Sequence, residues 1–345
     1  MDFPERGGKS GQVSVEPEIV AELLSSWGLE GETVISGIDQ GTNNQTFLVG
    51  RGTERLVLRV SQSLSPAEVQ AEHAVLRRVR QAGLPFRVPE PMPALDGETV
   101  VKSPAGPASL SPWLPGTRPD LADEPALGRF GRAVGLLDGA LARVPLQETV
   151  RDWRGDPLRV PGAPAVAALC AELRGSGIGA ERTTVLETAA RRVARDWPSL
   201  LAELPVQVIH GALAADSVLA DPRTGEIIGI LDFEFAGSGF RVQDFLAALF
   251  NSGAWERPDW LAHTSALARG YASARPLEIA EIDAIPTLLL ARSVAGVLWR
   301  ASRWRVARAQ LDDVASRLRK LEALTVWLAA DREMFQSMMA DTNGH

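Results

Sequence analysis

The chain has 345 residues, 45% of them hydrophobic, with a net charge of −7. That length suits one or two packed domains at roughly 150 residues each, and the acidic balance disfavours nucleic acid or an anionic membrane surface as partner, because phosphate binding calls for a basic patch. One cysteine, Cys170, and four histidines exclude an intramolecular disulfide and leave no legible zinc-type cluster.

Residues 1–14 are polar and are expected to be disordered. They lack the apolar core of a signal peptide, and no run reaches the ~18 unbroken apolar residues of a membrane span, so a soluble cytoplasmic protein is expected. Pro17 then opens an amphipathic helix through Ile19, Val20, Leu23, Leu24 and Trp27, stopped by Gly28. The pattern next changes to period two. Thr33 to Ile38 and Thr46 to Val49 read as a hairpin around Asp39–Gln45, and Leu56, Leu58 and Val60 line one face of a third strand. The turn with Gly41, Thr42, Asn43 and Asn44 fits a phosphate cover as well as ordinary turn chemistry.

Ser65, Pro66 and Glu68 announce a helix with a capping box. Along it Val69, Glu72, Leu76 and Val79 share a face, so a carboxylate interrupts the apolar stripe. Arg59 on the preceding strand is its natural partner; the alternative is a surface glutamate at the stripe's edge. Prolines 85, 89, 91 and 93 imply an extended connection. Asp96-Gly97 signals a turn, with strands near Thr99 to Lys102 and Ala108 to Leu110. Pro112-Trp113-Leu114-Pro115-Gly116 reads as a rigid linker.

From Leu121 the chain is mainly helical, with Leu127, Phe130, Val134, Leu137 and Leu141 at three-to-four spacing. Two β-branched runs, Val206 to Ile209 and Ile227 to Leu231, bracket a polar loop and read as strands. The first delivers His210-Gly211. The second delivers Asp232, and a carboxylate after five apolar residues needs a partner or a metal. The tail from Pro258 to Leu328 is a set of helices. Within it Trp299, Arg300, Arg303, Trp304 and Arg308 could clamp an anionic group or pack on their own lobe and snorkel outward.

The stretch Val206 to Asp244 resembles the catalytic and metal-binding loops of the aminoglycoside phosphotransferase superfamily, relatives of protein kinases that include choline kinases and one type of homoserine kinase. In that family a His-Gly-Asp opens the loop, an Asn follows five residues after the Asp, and an Ile-Asp-Phe-type triplet closes the site. This chain keeps His210, Gly211, Leu213, Val218, Leu219, Asp232 and Phe233. Ala212, however, stands where the family has its catalytic Asp, and Ser217 where it has the metal-binding Asn. Asn44 before Thr46 resembles the family's Asn-x-Thr, Arg59 its phosphate-contacting strand residue, and Trp113 and Leu114 its adenine-facing hinge. Asp152-Trp153-Arg154, and Pro276-Leu277 followed by Glu281, resemble the homoserine-kinase-like branch.

The resemblance implies a bilobal α+β, protein-kinase-like fold. A small antiparallel-sheet lobe would occupy residues 15–111, a hinge 112–117, and a helical lobe 118–340. It also implies ATP and Mg2+ as cofactors, with Arg59, Glu72, Asn44, Trp113 and Leu114 toward the nucleotide and Asp232 and Ser217 toward the metal. His210 would scaffold the loop and Asp244 brace it. In phosphoryl transfer an acid accepts the hydroxyl proton while an Asp and an Asn hold magnesium; alanine does neither. Asp216, one residue off the ligand position, is expected to point away from the pocket, and it and Glu234 are the candidate substitute bases. Three readings stand: a pseudokinase binding a nucleotide, metabolite or protein partner; an active phosphotransferase of a small hydroxyl compound, with a substitute base or with Ala212 engineered; and an interaction scaffold that binds no nucleotide.

Overall fold

Leu56, Leu58 and Val60 alternate along β3 (Glu54–Ser61) and are all buried. In this computed structural model, which describes residues 15, 17–30, 34–40, 44–155 and 162–344, β3 is an inner strand of a four-stranded antiparallel sheet. It lies between β2 (Asn44–Arg51) and β4 (Ala108–Pro112), with β1 (Val34–Gln40) beyond β2. The hairpin strands thus run further toward the turn than the sequence pattern suggests, taking in Asp39 and Asn44. The expected disorder of residues 1–14 and the phosphate-cover residues Gly41, Thr42 and Asn43 fall outside the described residues. The strand expected at Thr99 to Lys102 shrinks to a single bridge, Val101 to Ala108, because Pro104 and Pro107 beside it have no N–H to extend a ladder.

Helix α1 (Pro17–Ser25) buries Val20, Leu23 and Leu24 against this sheet, and Gly28 takes a φ of +66° just beyond its end. Helix α2 (Pro66–Gln81) starts on the Ser65 and Glu68 capping box. Its apolar side does not join the sheet's core: Val75, Leu76 and Val79 belong to the core of the larger lobe. The protein therefore has two apolar cores with α2 turned toward the second, the arrangement expected of a bilobal fold.

The larger lobe is built from α3 (Glu124–Leu141), α4 (Ala163–Gly175), α5 (Ala180–Glu203), α6 (Val242–Ser252), α7 (Trp260–Ala272), α8 (Ile279–Arg305) and α9 (Leu311–Asn343). Its core buries Phe130, Phe233, Phe240 and Phe245 completely or nearly so, at about 1.5–3 kcal/mol for each large apolar side chain removed from water. Helices α3 and α7 cross with almost no space between backbones, so a Cβ placed on Gly270 would meet the Gly128 carbonyl at 2.0 Å. Helix α8 is long and apolar enough to cross a membrane, but 72% of its apolar window is buried inside the lobe.

Four short strands carry the loops. The two β-branched runs do not pair with each other: β5 (Val206–Ile209) pairs with β8 (Gly237–Phe240), and β6 (Val218–Ala220) with β7 (Ile227–Ile230). Each two-stranded sheet thus holds one chemistry-bearing loop at its end.

Candidate functional site

The loop after β5 is held by its backbone. Asp244, fully buried in the first turn of α6, accepts from the His210 N–H at 2.6 Å and the Gly211 N–H at 2.7 Å. The His210 imidazole is occupied on both sides, since Nε2 lies 2.7 Å from the Leu231 carbonyl and the Ala212 N–H points at Nδ1 from 3.4 Å. A carbonyl can only accept, so Nε2 carries the proton. Burial holds the ring's pKa below its ordinary value, keeping it neutral. Gly211 has a φ of +84°, and a Cβ there would meet the Phe235 carbonyl at 2.8 Å. The loop is thereby stitched to the segment after β7, and the methyl group of Ala212 stands beyond it.

That second segment opens with Asp232 in a left-handed conformation, φ 62° and ψ 49°, rare for a residue with a side chain and worth about 1–3 kcal/mol of backbone strain. Asp232 keeps access to solvent at the cleft. Desolvation by the surrounding wall raises its pKa to about 7, helped by the charges of Glu234 and then Asp216 and opposed by Arg59. The Asp216 charge thus adds to the cost of ionising Asp232. The short turn Ala215–Ser217 leaves Asp216 exposed.

Across the cleft, Arg59 on β3 forms an ion pair with Glu72 of α2 at 2.6 Å, the glutamate being almost wholly buried. Burial disfavours the guanidinium charge, but Glu72, Glu234 and Asp232 outweigh it, so Arg59 stays cationic. The Asn44 amide donates to Glu234 Oε2 at 2.6 Å, joining sheet and helical lobe, while its buried Oδ1 has no partner. Just past β4, which takes in Pro112, Trp113 and Leu114 are half-buried, and the Trp113 N–H is taken by the Arg55 carbonyl at 2.9 Å. Arg59, Glu72, Asn44, Glu234 and Asp232 are thus brought together, by contact or by charge.

Ser217 is a different matter. It is buried, accepts from the Ala214 N–H and donates to the Ala214 carbonyl, so its hydroxyl closes its own turn. Among the described residues no group of three or more His, Cys, Asp or Glu is arranged to hold a metal by itself. Carboxylate oxygens such as those of Asp232 and Glu234 are the donor type that suits a hard cation, whose remaining ligands in such sites come from phosphates and water.

Several supporting residues carry no local signal of their role. Trp153 donates from its indole to the Phe235 carbonyl, and Arg151 lies 4.9 Å over the Trp153 ring and reaches the Glu234 carbonyl and Glu68 of α2. The Asp152-Trp153-Arg154 segment thereby locks the loop after Asp232. Asn251 donates to the Leu213 carbonyl at 2.8 Å from the end of α6. Asp138 is fully buried and accepts from Tyr271 at 2.6 Å; burial and then the Asp244 charge push it well above the carboxylate range. Its signal was available, because it sits on the same face as Val134 and Leu141.

Comparison with known proteins places this geometry. Residues 34–277 match the family model described as the phosphotransferase enzyme family. The homoserine kinase of Acidiphilium cryptum is 26% identical over 295 residues, covering 84% of this chain and 87% of its own length. That of Brucella ovis is 29% identical over 284 residues, covering 79% and 80%. A microcompartment-associated aminopropanol kinase superposes with a TM-score of 0.71 at 21% identity, covering 94% of this chain and 99% of that one. The amicoumacin kinase hAmiN in complex with AMP-PNP, Ca2+ and Ami superposes at 0.69 with 16% identity, covering 90% and 93%. With the family pattern spanning both lobes and the kinase-like fold recovered around the cleft, this chain belongs to the phosphotransferase enzyme family.

Proposed function

We propose that the protein binds a nucleoside triphosphate with Mg2+ in the cleft and has lost the means to accept a proton from a substrate hydroxyl: a pseudokinase of the small-molecule phosphotransferase superfamily. The observation that carries the reading is the loop at Ala212, still braced through two backbone N–H groups by Asp244 but ending in a methyl group where a carboxylate is required. Arg59, kept cationic by Glu72, faces the triphosphate; the orphaned Asn44 amide oxygen and Glu234 line the phosphate end; Trp113 and Leu114 flank the base. Asp232, with Glu234 or Asp216 beside it, would hold Mg2+, which when bound neutralises phosphate charge. Ser217 contributes no more than the one lone pair its turn leaves over. Losing a general base removes about 10²–10⁴-fold in rate, so binding persists while turnover collapses.

A second reading is favoured by one observation, the effect of Asp216 on Asp232. Asp216, an exposed carboxylate in the same loop as Ala212, would then be the substitute base of a working kinase for a small hydroxyl compound such as an amino acid, amino alcohol or aminoglycoside. The test pairs two measurements on the purified chain. ATP–Mg2+ well above its Kd should raise the melting temperature, at about 2.7 kcal/mol for a hundredfold excess, while ATP consumption with homoserine, aminopropanol or kanamycin stays at background. Robust metal-dependent turnover contradicts the pseudokinase reading. Absence of any nucleotide shift contradicts both readings and leaves the interaction scaffold.

A further inference from the structure

The Arg/Trp-rich end of α8 divides: Trp304 packs against the core of its own lobe and Arg308 is exposed, while Arg300 and Arg303 are half-buried. Arg300, with Arg317 and Lys320 of α9 and with Glu256 and Asp313, lines an open pocket of about 520 Å³. Trp299 carries two guanidinium groups against its ring, Arg300 at 4.9 Å and Arg303 at 5.1 Å from the centroid. The Nε atoms of Arg300 and Arg303 are buried without a hydrogen-bond partner. Among the described residues no ion pair joins Arg300, Arg303 or Arg317 to a carboxylate, whereas Lys320 pairs with Glu256 at 3.2 Å and Arg319 with Asp312 at 3.7 Å.

These cations oppose one another. Burial and then Arg300 hold Arg317 below its ordinary pKa against the opposing charge of Asp313; burial, Arg300 and Arg308 do the same to Arg303. Guanidinium groups gathered without paired carboxylates in an acidic protein make a site that a planar or tetrahedral oxyanion would complete, because their donors form two-pronged hydrogen bonds to such groups. The pocket is also tied to the loop at Ala212. Lys320 lies 4.3 Å over the Phe250 ring and donates to the Phe250 carbonyl, and the next residue, Asn251, holds the Leu213 carbonyl.

We infer that this pocket binds a small carboxylate or phosphate ligand, held by Arg300 and Arg317. The inference adds to the reading of the cleft as a phosphotransferase site, and it favours anionic ligands over polycationic ones. The test measures the melting temperature of the full chain with inorganic phosphate, malate, kanamycin and, separately, AMP-PNP–Mg2+. Phosphate and malate should stabilise the protein and kanamycin should not. Arg317→Gln and Arg300→Gln should each weaken the anion response at least tenfold and leave the AMP-PNP–Mg2+ response unchanged. Independently of any variant, malate should protect Arg300 and Arg317 from phenylglyoxal in peptide mass spectra. Anion effects that are absent or survive both substitutions, stabilisation by kanamycin instead, or unprotected arginines overturn the inference. Loss of the AMP-PNP–Mg2+ response with the anion response intact removes the phosphotransferase reading and leaves the anion site standing.

Discussion

The two ends of α8 handle buried positive charge in opposite ways. At its start Arg241 meets Glu281, a wholly buried carboxylate that takes Nε at 2.8 Å together with a second guanidinium nitrogen and also accepts from the Glu278 N–H to cap the helix. At its end Arg300 and Arg303 share Trp299 and Arg300 lines a pocket with Arg317, with no carboxylate among the described residues in an ion pair with them. Complete pairing marks charge used to build the lobe, and incomplete pairing marks charge kept for something the chain does not contain. The cleft mouth is the acidic counterpart, where Asp232, Glu234 and Asp216 repel one another. A cation there and an anion at α8 would balance two local excesses of opposite sign.

The comparison breaks most readily at the paired end. Glu281→Ala strands a buried guanidinium and should cost about 3–5 kcal/mol in urea denaturation; a loss under about 1 kcal/mol would mean that Arg241 finds water and that the two ends do not differ. Asp232 sharpens the contrast. Its pKa rises on folding, so an unfolded chain ionises it near the ordinary carboxylate value while the folded protein holds the proton to about 7. The penalty on folding therefore grows across that interval and is complete above it. Asp232→Asn should accordingly raise the melting temperature of the unliganded protein at about pH 8 but not at about pH 4, and equal shifts at both would remove charge repulsion as the cause. The smallest effect belongs to Arg317→Gln, which relieves repulsion at little structural cost and should leave stability within about 0.5 kcal/mol of the parent. A loss of about 2 kcal/mol or more would make that arginine a structural member like Arg241.

What could be read from the sequence was what is local in it. The Ser65 and Glu68 cap, the alternation of Leu56, Leu58 and Val60, the carboxylate after the apolar run into Asp232, and the opposed Arg59 and Glu72 all announce themselves within a few residues, and the family resemblance supplied the bilobal fold. What stayed hidden depends on contacts across the chain. The Ser217 hydroxyl is consumed by a backbone three residues away. Arg151 and Trp153 act on a loop some 80 residues later. The arginine cluster needed α9 to supply Arg317 before the stretch on α8 could be told from ordinary snorkelling side chains. Pairing of β5 with β8 rather than β7 likewise reflects tertiary packing, which alternation alone does not encode.

The most direct measurement restores the missing acid. Ala212→Asp, alone and with Ser217→Asn, is assayed for ATP consumption against malate, homoserine and aminopropanol beside the parent chain. A rise of about 10²–10⁴-fold over the parent, at unchanged AMP-PNP–Mg2+ affinity, is the expected result for a cleft that lacks only its proton acceptor. A parent that turns over as fast as the Ala212→Asp variant would contradict the account.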